Sequence, residues 1–239
     1  VAMDTDTDDL ARRPWVLLPG TLCTGAVFDG MLDVLGVPAA HRQVVALKWP
    51  FVEDYGAVFD AMPEDAIVCG FSLGAIVAAH HADRMAAHRL VLFGVNPYAD
   101  DPLKAVGRRE LAQDVGAMGG AAALRARAPD LYGPAPDTAR AMIHAMADAD
   151  AGYIAAQTQL ALTRPGALPA LARAQMPVLV LTGSRDGAAP PAQGQAAATA
   201  APCRQFYTLE GLGHFALLEN PDACAAALMH MMDPAHEIA

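Results

Sequence analysis

Short apolar runs alternate with longer, Ala-rich stretches along this chain. The runs lie at 15–19, 43–47, 66–70, 89–94, 178–182 and 204–209. Most are apolar without strict alternation. A strand with one wet face alternates apolar and polar residues, so continuous apolar runs predict strands buried on both faces. The stretches between them are long enough for crossover helices. Strand, helix, strand repeated predicts a parallel sheet covered by helices, an α/β fold.

The gap between 94 and 178 is too long for one crossover. It carries helical pattern at 103–128, 137–148 and 151–163, broken by Gly and Pro, including Gly119-Gly120. This predicts a small helical cap inserted after the fourth strand, with no sheet of its own. The expected division is a core of 14–97 and 176–239, a cap of 98–175, and a mobile acidic tail of 1–13. Residues 186–201, rich in Ala, Gly, Pro and Gln, read as a loop leading into an Ala-rich helix. No internal repeat is present.

Composition narrows the function classes. Of 239 residues, 54% are hydrophobic and 18% charged, which suits one large domain with a sizeable core. The formal net charge of −10, with no Lys/Arg run, argues against nucleic acid as a partner. The four cysteines, Cys23, Cys69, Cys203 and Cys224, form no C-x-x-C pair, so a zinc or dithiol site is not expected. Their scatter suits a reduced, cytoplasmic protein. No signal peptide is visible, and no run approaches the ~20 apolar residues that span a bilayer. A second copy of the chain is a further candidate partner.

The chemistry is concentrated at Gly70-Phe71-Ser72-Leu73-Gly74. A strand pattern precedes it and a helix pattern, 75–85, follows. A serine on such a sharp turn is pushed above the strand end, where it can act as a nucleophile. Read blandly, the motif is only a glycine turn. A hydroxyl also needs a base. Of eight histidines, His214 stands out, just past the 204–209 run in Gly211-Leu212-Gly213-His214-Phe215. His144, in the cap, is a candidate substrate contact. Asp186, directly after the run at 178–182, is the acid that would orient the base; Asp100 and Asp101 lie farther beyond their strand. Amides must hold the charge that develops on a carbonyl oxygen. One is expected from Leu73, next after the nucleophile. The other is expected from Thr21, in the loop Pro19–Cys23, with Leu22 as the fallback.

Together these residues resemble the α/β-hydrolase fold family over nearly the whole chain. Leu17-Leu18-Pro19-Gly20-Thr21-Leu22-Cys23 is similar to a subgroup with L-L-P-G-x-L-C at this point. Gly213-His214 followed by Leu218-Glu219-Asn220-Pro221 is similar to the family's G-H-x-x-x-x-E-x-P stretch. The resemblance implies a triad of Ser72, Asp186 and His214, in that chain order, with the Thr21 and Leu73 amides as oxyanion hole. Pro19 stands where many members have histidine. The chain reaches its first strand almost at once, so two N-terminal strands are expected to be missing, leaving about six, all parallel.

The expected function is a serine hydrolase cleaving a carboxylic ester of a small to medium, largely apolar substrate through an acyl-serine. The same triad would serve a thioesterase, a lactonase or a β-diketone hydrolase. A non-catalytic ligand binder is the reading from another class. No cofactor and no metal are expected. Within the cap, Leu103, Leu111, Met118, Leu124, Leu131, Tyr132, Met142, Met146, Tyr153 and Leu160 offer apolar surface. The adaptable Met118, Met142 and Met146, with Tyr153, Leu22, Phe71 and Phe215, are the expected substrate contacts.

Overall fold

The computed structural model describes residues 5–127 and 132–232. Six strands form one sheet: β1 (Trp15–Leu18), β2 (Arg42–Val44), β3 (Ile67–Phe71), β4 (Arg89–Phe93), β5 (Val178–Gly183) and β6 (Arg204–Leu209). Their order is β2-β1-β3-β4-β5-β6, and every pairing is parallel.

The helices in chain order are α1 (Thr5–Arg12), α2 (Ala26–Val34), α3 (Gly56–Ala61), α4 (Leu73–His80), α5 (Ala105–Met118), α6 (Gly120–Ala126), α7 (Asp137–Asp150), α8 (Ile154–Thr163), α9 (Leu168–Leu171), α10 (Pro191–Ala200), α11 (Ala216–Glu219) and α12 (Pro221–Met232).

Successive strand side chains point to opposite faces, and in the four inner strands β1, β3, β4 and β5 both faces are buried. Trp15, Leu17, Ile67, Cys69, Val91 and Leu179 join one core with α2 and α12. Val16, Leu18, Val68, Leu90, Val178 and Val180 join the other with α4 and α10. That two-sided burial is why the strand sequences do not alternate.

Two expectations need correction. The strand foreseen at 43–47 is only Arg42–Val44, and the apolar Val45 and Leu47 fold into the core beyond its end. The stretch 1–13 is not a loose tail throughout. Its residues 5–12 form α1, Leu10 is buried, and the Trp15 indole donates to the Leu10 carbonyl at 3.0 Å. Arg13 ties back to Asp9 at 2.7 Å. One buried leucine and one indole bond dock a segment that reads as polar.

Helices α5 to α8 all lie in the chain between β4 and β5. The break between α5 and α6 falls at Gly119, whose φ of +87° favours glycine. No helix of the described residues is long and apolar enough to cross a membrane.

Candidate active site

Three loops at the carboxyl ends of the strands build the site. β3 runs into α4 through Ser72, which has φ +52° and ψ −118°. A non-glycine residue held there costs about 1–3 kcal/mol, so the surroundings must enforce the turn. They do so by close approach. A Cβ on Gly70 would overlap the backbone of Ala75, and one on Gly74 would overlap the Leu18 carbonyl. The two glycines of the motif let α4 start against β1, which lifts Ser72 clear of the strand.

The loop after β5 carries Asp186, which is 4% exposed. Its Oδ1 accepts from the amides of Ala188 and Ala189 at 2.9 and 2.8 Å. Its Oδ2 lies 2.8 Å from His214 Nδ1. The loop after β6 carries His214, whose Nε2 lies 3.0 Å from Ser72 Oγ. Glu219, in the G-H-x-x-x-x-E-x-P stretch, accepts from the Gly213 amide at 2.6 Å and so fixes the turn before His214. Phe71 and Phe215 pack beside the imidazole, with ring centroids 5.1 and 5.6 Å from it. Serine, imidazole and carboxylate therefore form one hydrogen-bonded line, able to pass the serine proton to the ring while Asp186 holds Nδ1.

Asp100 is held elsewhere. Arg108 and Arg164 bind it, its nearest distances to them being 2.7 and 3.0 Å. Burial raises its carboxyl, but the two guanidiniums outweigh burial and hold it below the usual carboxylate range.

Thr21 and Leu73 both border the cavity above Ser72. Leu73 is the first residue of α4, where an amide has no intrahelical partner. Leu22, the fallback donor, is engaged: its N–H donates to Gln157 Oε1 at 3.0 Å. Leu22 itself sits at φ +55°. A bond from an inserted helix thus pins a strained residue of the loop after β1.

Gln157 in turn donates to Asp150 Oδ2 at 2.5 Å, and both side chains are buried. Neither was expected as a site residue. A signal exists, since Gln157 takes a position in the buried stripe Ile154, Leu160, Ala161 that an apolar residue would fill.

Burial pushes the Asp150 carboxyl up to about 6, against a lowering by the Gln157 bond. A raised carboxyl favours the fold when protonated. That contribution is full below about pH 4 and is lost as pH rises through about 6. Asp150→Asn keeps an acceptor and loses the charge. Its melting temperature should exceed that of the parent by a few degrees at pH 7, with the gap closing towards pH 4. Thermal melts across pH 4 to 7 check this; a gap independent of pH refutes it.

The cavity over Ser72 has two lobes of about 240 and 200 Å³. The lobes meet at Ser72 and share Thr21, Arg108, Ala188 and His214 in their lining. Leu22, Phe71, Leu111, Leu124, Ile143 and Phe215 line the apolar lobe. Asn96, Lys104 and Arg164 line the polar one, and Arg108 borders both.

The expected methionine lining is not found. Met118, Met142 and Tyr153 are exposed, and Met146 is buried in the core. Helix phase explains it: Ile143 faces inward on α7, so its neighbour Met142 faces out. Leu103 is exposed, while Tyr132 and Leu160 pack into the cores. Leu131 lies outside the described residues. His144 contacts the Tyr132 hydroxyl at 2.7 Å and does not line either lobe.

Comparison with known proteins fits this geometry. The sequence profile of the alpha/beta hydrolase family matches residues 10–227. The chain belongs to that family. Among curated relatives, a pimeloyl-[acyl-carrier protein] methyl ester esterase of Stenotrophomonas maltophilia (strain K279a) is 32% identical over 227 residues, spanning 84% of this chain and 81% of the relative. Two solved structures show the same fold. A thermophilic esterase from Thermogutta terrifontis superposes with a TM-score of 0.74 at 21% identity, covering 94% of this chain and 90% of that one. The enol-lactonase from Burkholderia xenovorans LB400 superposes at 0.73 with 22% identity, covering 92% of each.

Proposed function

We propose that this alpha/beta hydrolase cleaves carboxylic esters of small acyl groups through an acyl-serine on Ser72. The observation that carries the reading is the line from Ser72 Oγ to His214 Nε2 and from His214 Nδ1 to Asp186, at 3.0 and 2.8 Å, on the wall of a cavity. The curated relative, which acts on a methyl ester, supports an ester as the bond.

Ser72 Oγ attacks the carbonyl carbon as its proton passes to His214 Nε2. The carbonyl electron pair moves onto oxygen, where the Thr21 and Leu73 amides receive it. Collapse breaks the C–O bond, and the leaving alkoxide takes the proton from His214. A water then attacks the acyl-serine, giving its proton to His214. Ser72 departs with that proton, leaving acid and alcohol. Asp186 holds the Nδ1–H tautomer throughout and stabilises the imidazolium. Residues 98–175 act as a cap, supplying Leu111, Leu124 and Ile143 to the apolar lobe. The four unpaired cysteines support a cytoplasmic setting.

Turnover of p-nitrophenyl butyrate, S-butyryl-N-acetylcysteamine and acetylacetone tests the bond. The oxygen ester should exceed both others by about tenfold or more in kcat/KM. Faster cleavage of the thioester or diketone, or no ester turnover, overturns the reading.

A further inference from the structure

The two lobes at Ser72 differ in charge as well as polarity. Three cations, Lys104, Arg108 and Arg164, line the polar lobe, only Arg108 of them also borders the apolar lobe, and no carboxylate lines either. This runs against the whole protein, which carries a formal charge of −10 and has only two lysines, Lys48 and Lys104. Lys104 ends the turn Pro102–Lys104 that leads into α5.

A structural role accounts for part of the cluster. Asp100 ties Arg108 of α5 to Arg164 beyond α8, and Arg164 also donates to the Ala161 carbonyl at 2.7 Å. One carboxylate between two guanidiniums leaves a positive charge unbalanced. Arg108 gives Asp100 only its Nε and Nη2. Among the described residues, its Nη1 and the Lys104 ammonium have no hydrogen-bond or carboxylate partner. Both residues line the same cavity as Ser72 and His214. Positive charge with free N–H donors, partly walled from water, binds anionic oxygens through charge-assisted hydrogen bonds.

We propose that the polar lobe is an anion subsite, and that the ester cleaved at Ser72 bears a carboxylate or phosphate group on one side of its carbonyl and apolar structure on the other. This rests on the reading of Ser72 as an ester-cleaving nucleophile. The apolar lobe takes the uncharged part. Lys104 and Arg108 take the anion, as specificity residues that do not touch the reacting atoms. A neutral ester fills one lobe and leaves the other wet, so discrimination appears in binding.

Calorimetry on the Ser72→Ala protein tests binding apart from turnover. The probes are dimethyl glutarate, monomethyl glutarate and methyl 3-phosphonopropionate, which are neutral, a carboxylate and a phosphonate. At least one charged ester should bind about tenfold tighter than the neutral one, and the tighter of the two identifies the anion. Adding Lys104→Ala should cut that preference to about twofold. Adding Lys48→Ala, the same charge change at the other lysine, should leave it intact. Equal binding of all three probes, no binding of either charged ester, or a preference that survives Lys104→Ala overturns the subsite.

Turnover of the same esters by the parent protein separates the two claims. Hydrolysis without a charge preference removes the subsite and leaves the esterase. A Lys104-dependent preference without hydrolysis of any ester removes the esterase and leaves the subsite.

Discussion

Ser72→Ala should lower ester turnover by about 10⁴-fold or more in kcat, with little change in KM. The substitution deletes one oxygen. The Cβ stays where it packs, so the strained turn and both lobes keep their shape. What goes is the proposed nucleophile, and with it the partner of His214 Nε2 at 3.0 Å. The residual rate would come from binding and from amides that still face the carbonyl oxygen. The thermal midpoint should move by no more than about 2 °C, because no buried contact is lost. Intact mass after treatment with a fluorophosphonate checks the residue directly. One label per chain is expected on the parent and none on the variant. A label that persists on the variant would falsify Ser72 as the nucleophile.

Gly74→Ala should be as damaging to the fold as Ser72→Ala is to the chemistry. An added Cβ would overlap the carbonyl oxygens of Leu18 and Pro19. Both belong to backbone, one in a central strand, and no rotamer change relieves the clash. α4 would have to move off β1, opening the layer that buries Leu73 and Ala75 beside Leu18. Losses above about 4 kcal/mol are the mark of such sites, which at this chain length is about 10 °C or more in melting temperature, or no soluble protein. Gly116→Ala serves as the contrast. It adds a methyl to α5 with nothing within 4 Å, and should be neutral or stabilising by up to about 1 kcal/mol. If Gly74→Ala melts with the parent, the close approach of α4 to β1 is wrong.

The same glycine made the site legible from sequence. Gly70-x-Ser72-x-Gly74 marks its geometry in the sequence, with Gly70 needed where Ala75 folds back on it and Gly74 where α4 meets the distant carbonyls of Leu18 and Pro19. Gly183 acts likewise, where the next loop passes too close for a side chain. The strands were readable because burial on both faces erases alternation. Where burial is one-sided or partial the reading slipped, as at Val45 and Leu47, which are core residues without being strand.

The substrate pocket was the poorest inference, and the reason is phase. Composition identifies α7 as rich in apolar residues. Whether Met142 or Ile143 faces Ser72 depends on how the helix is rotated against the core, a matter of one residue. Gln157 and Asp150 were missed for a different reason. The buried stripe of α8 marks Gln157 as out of place, but its partner Leu22 lies 135 positions away in the chain, and no local pattern names a partner at such a distance. Lys104 and Arg108 likewise look like ordinary surface charges until the fold brings them beside Ser72.

The bond from Leu22 to Gln157 has a consequence for anyone who would re-engineer this protein. Inserted segments between strands look exchangeable, since they enter and leave the sheet at one place. Here the insertion also holds the loop after β1 in its strained shape. A graft from another hydrolase that brought a new acyl pocket without a carboxamide at this position would leave Leu22 unsupported. Specificity and rate would then change together, and a chimaera built for the first would have to be rescued for the second.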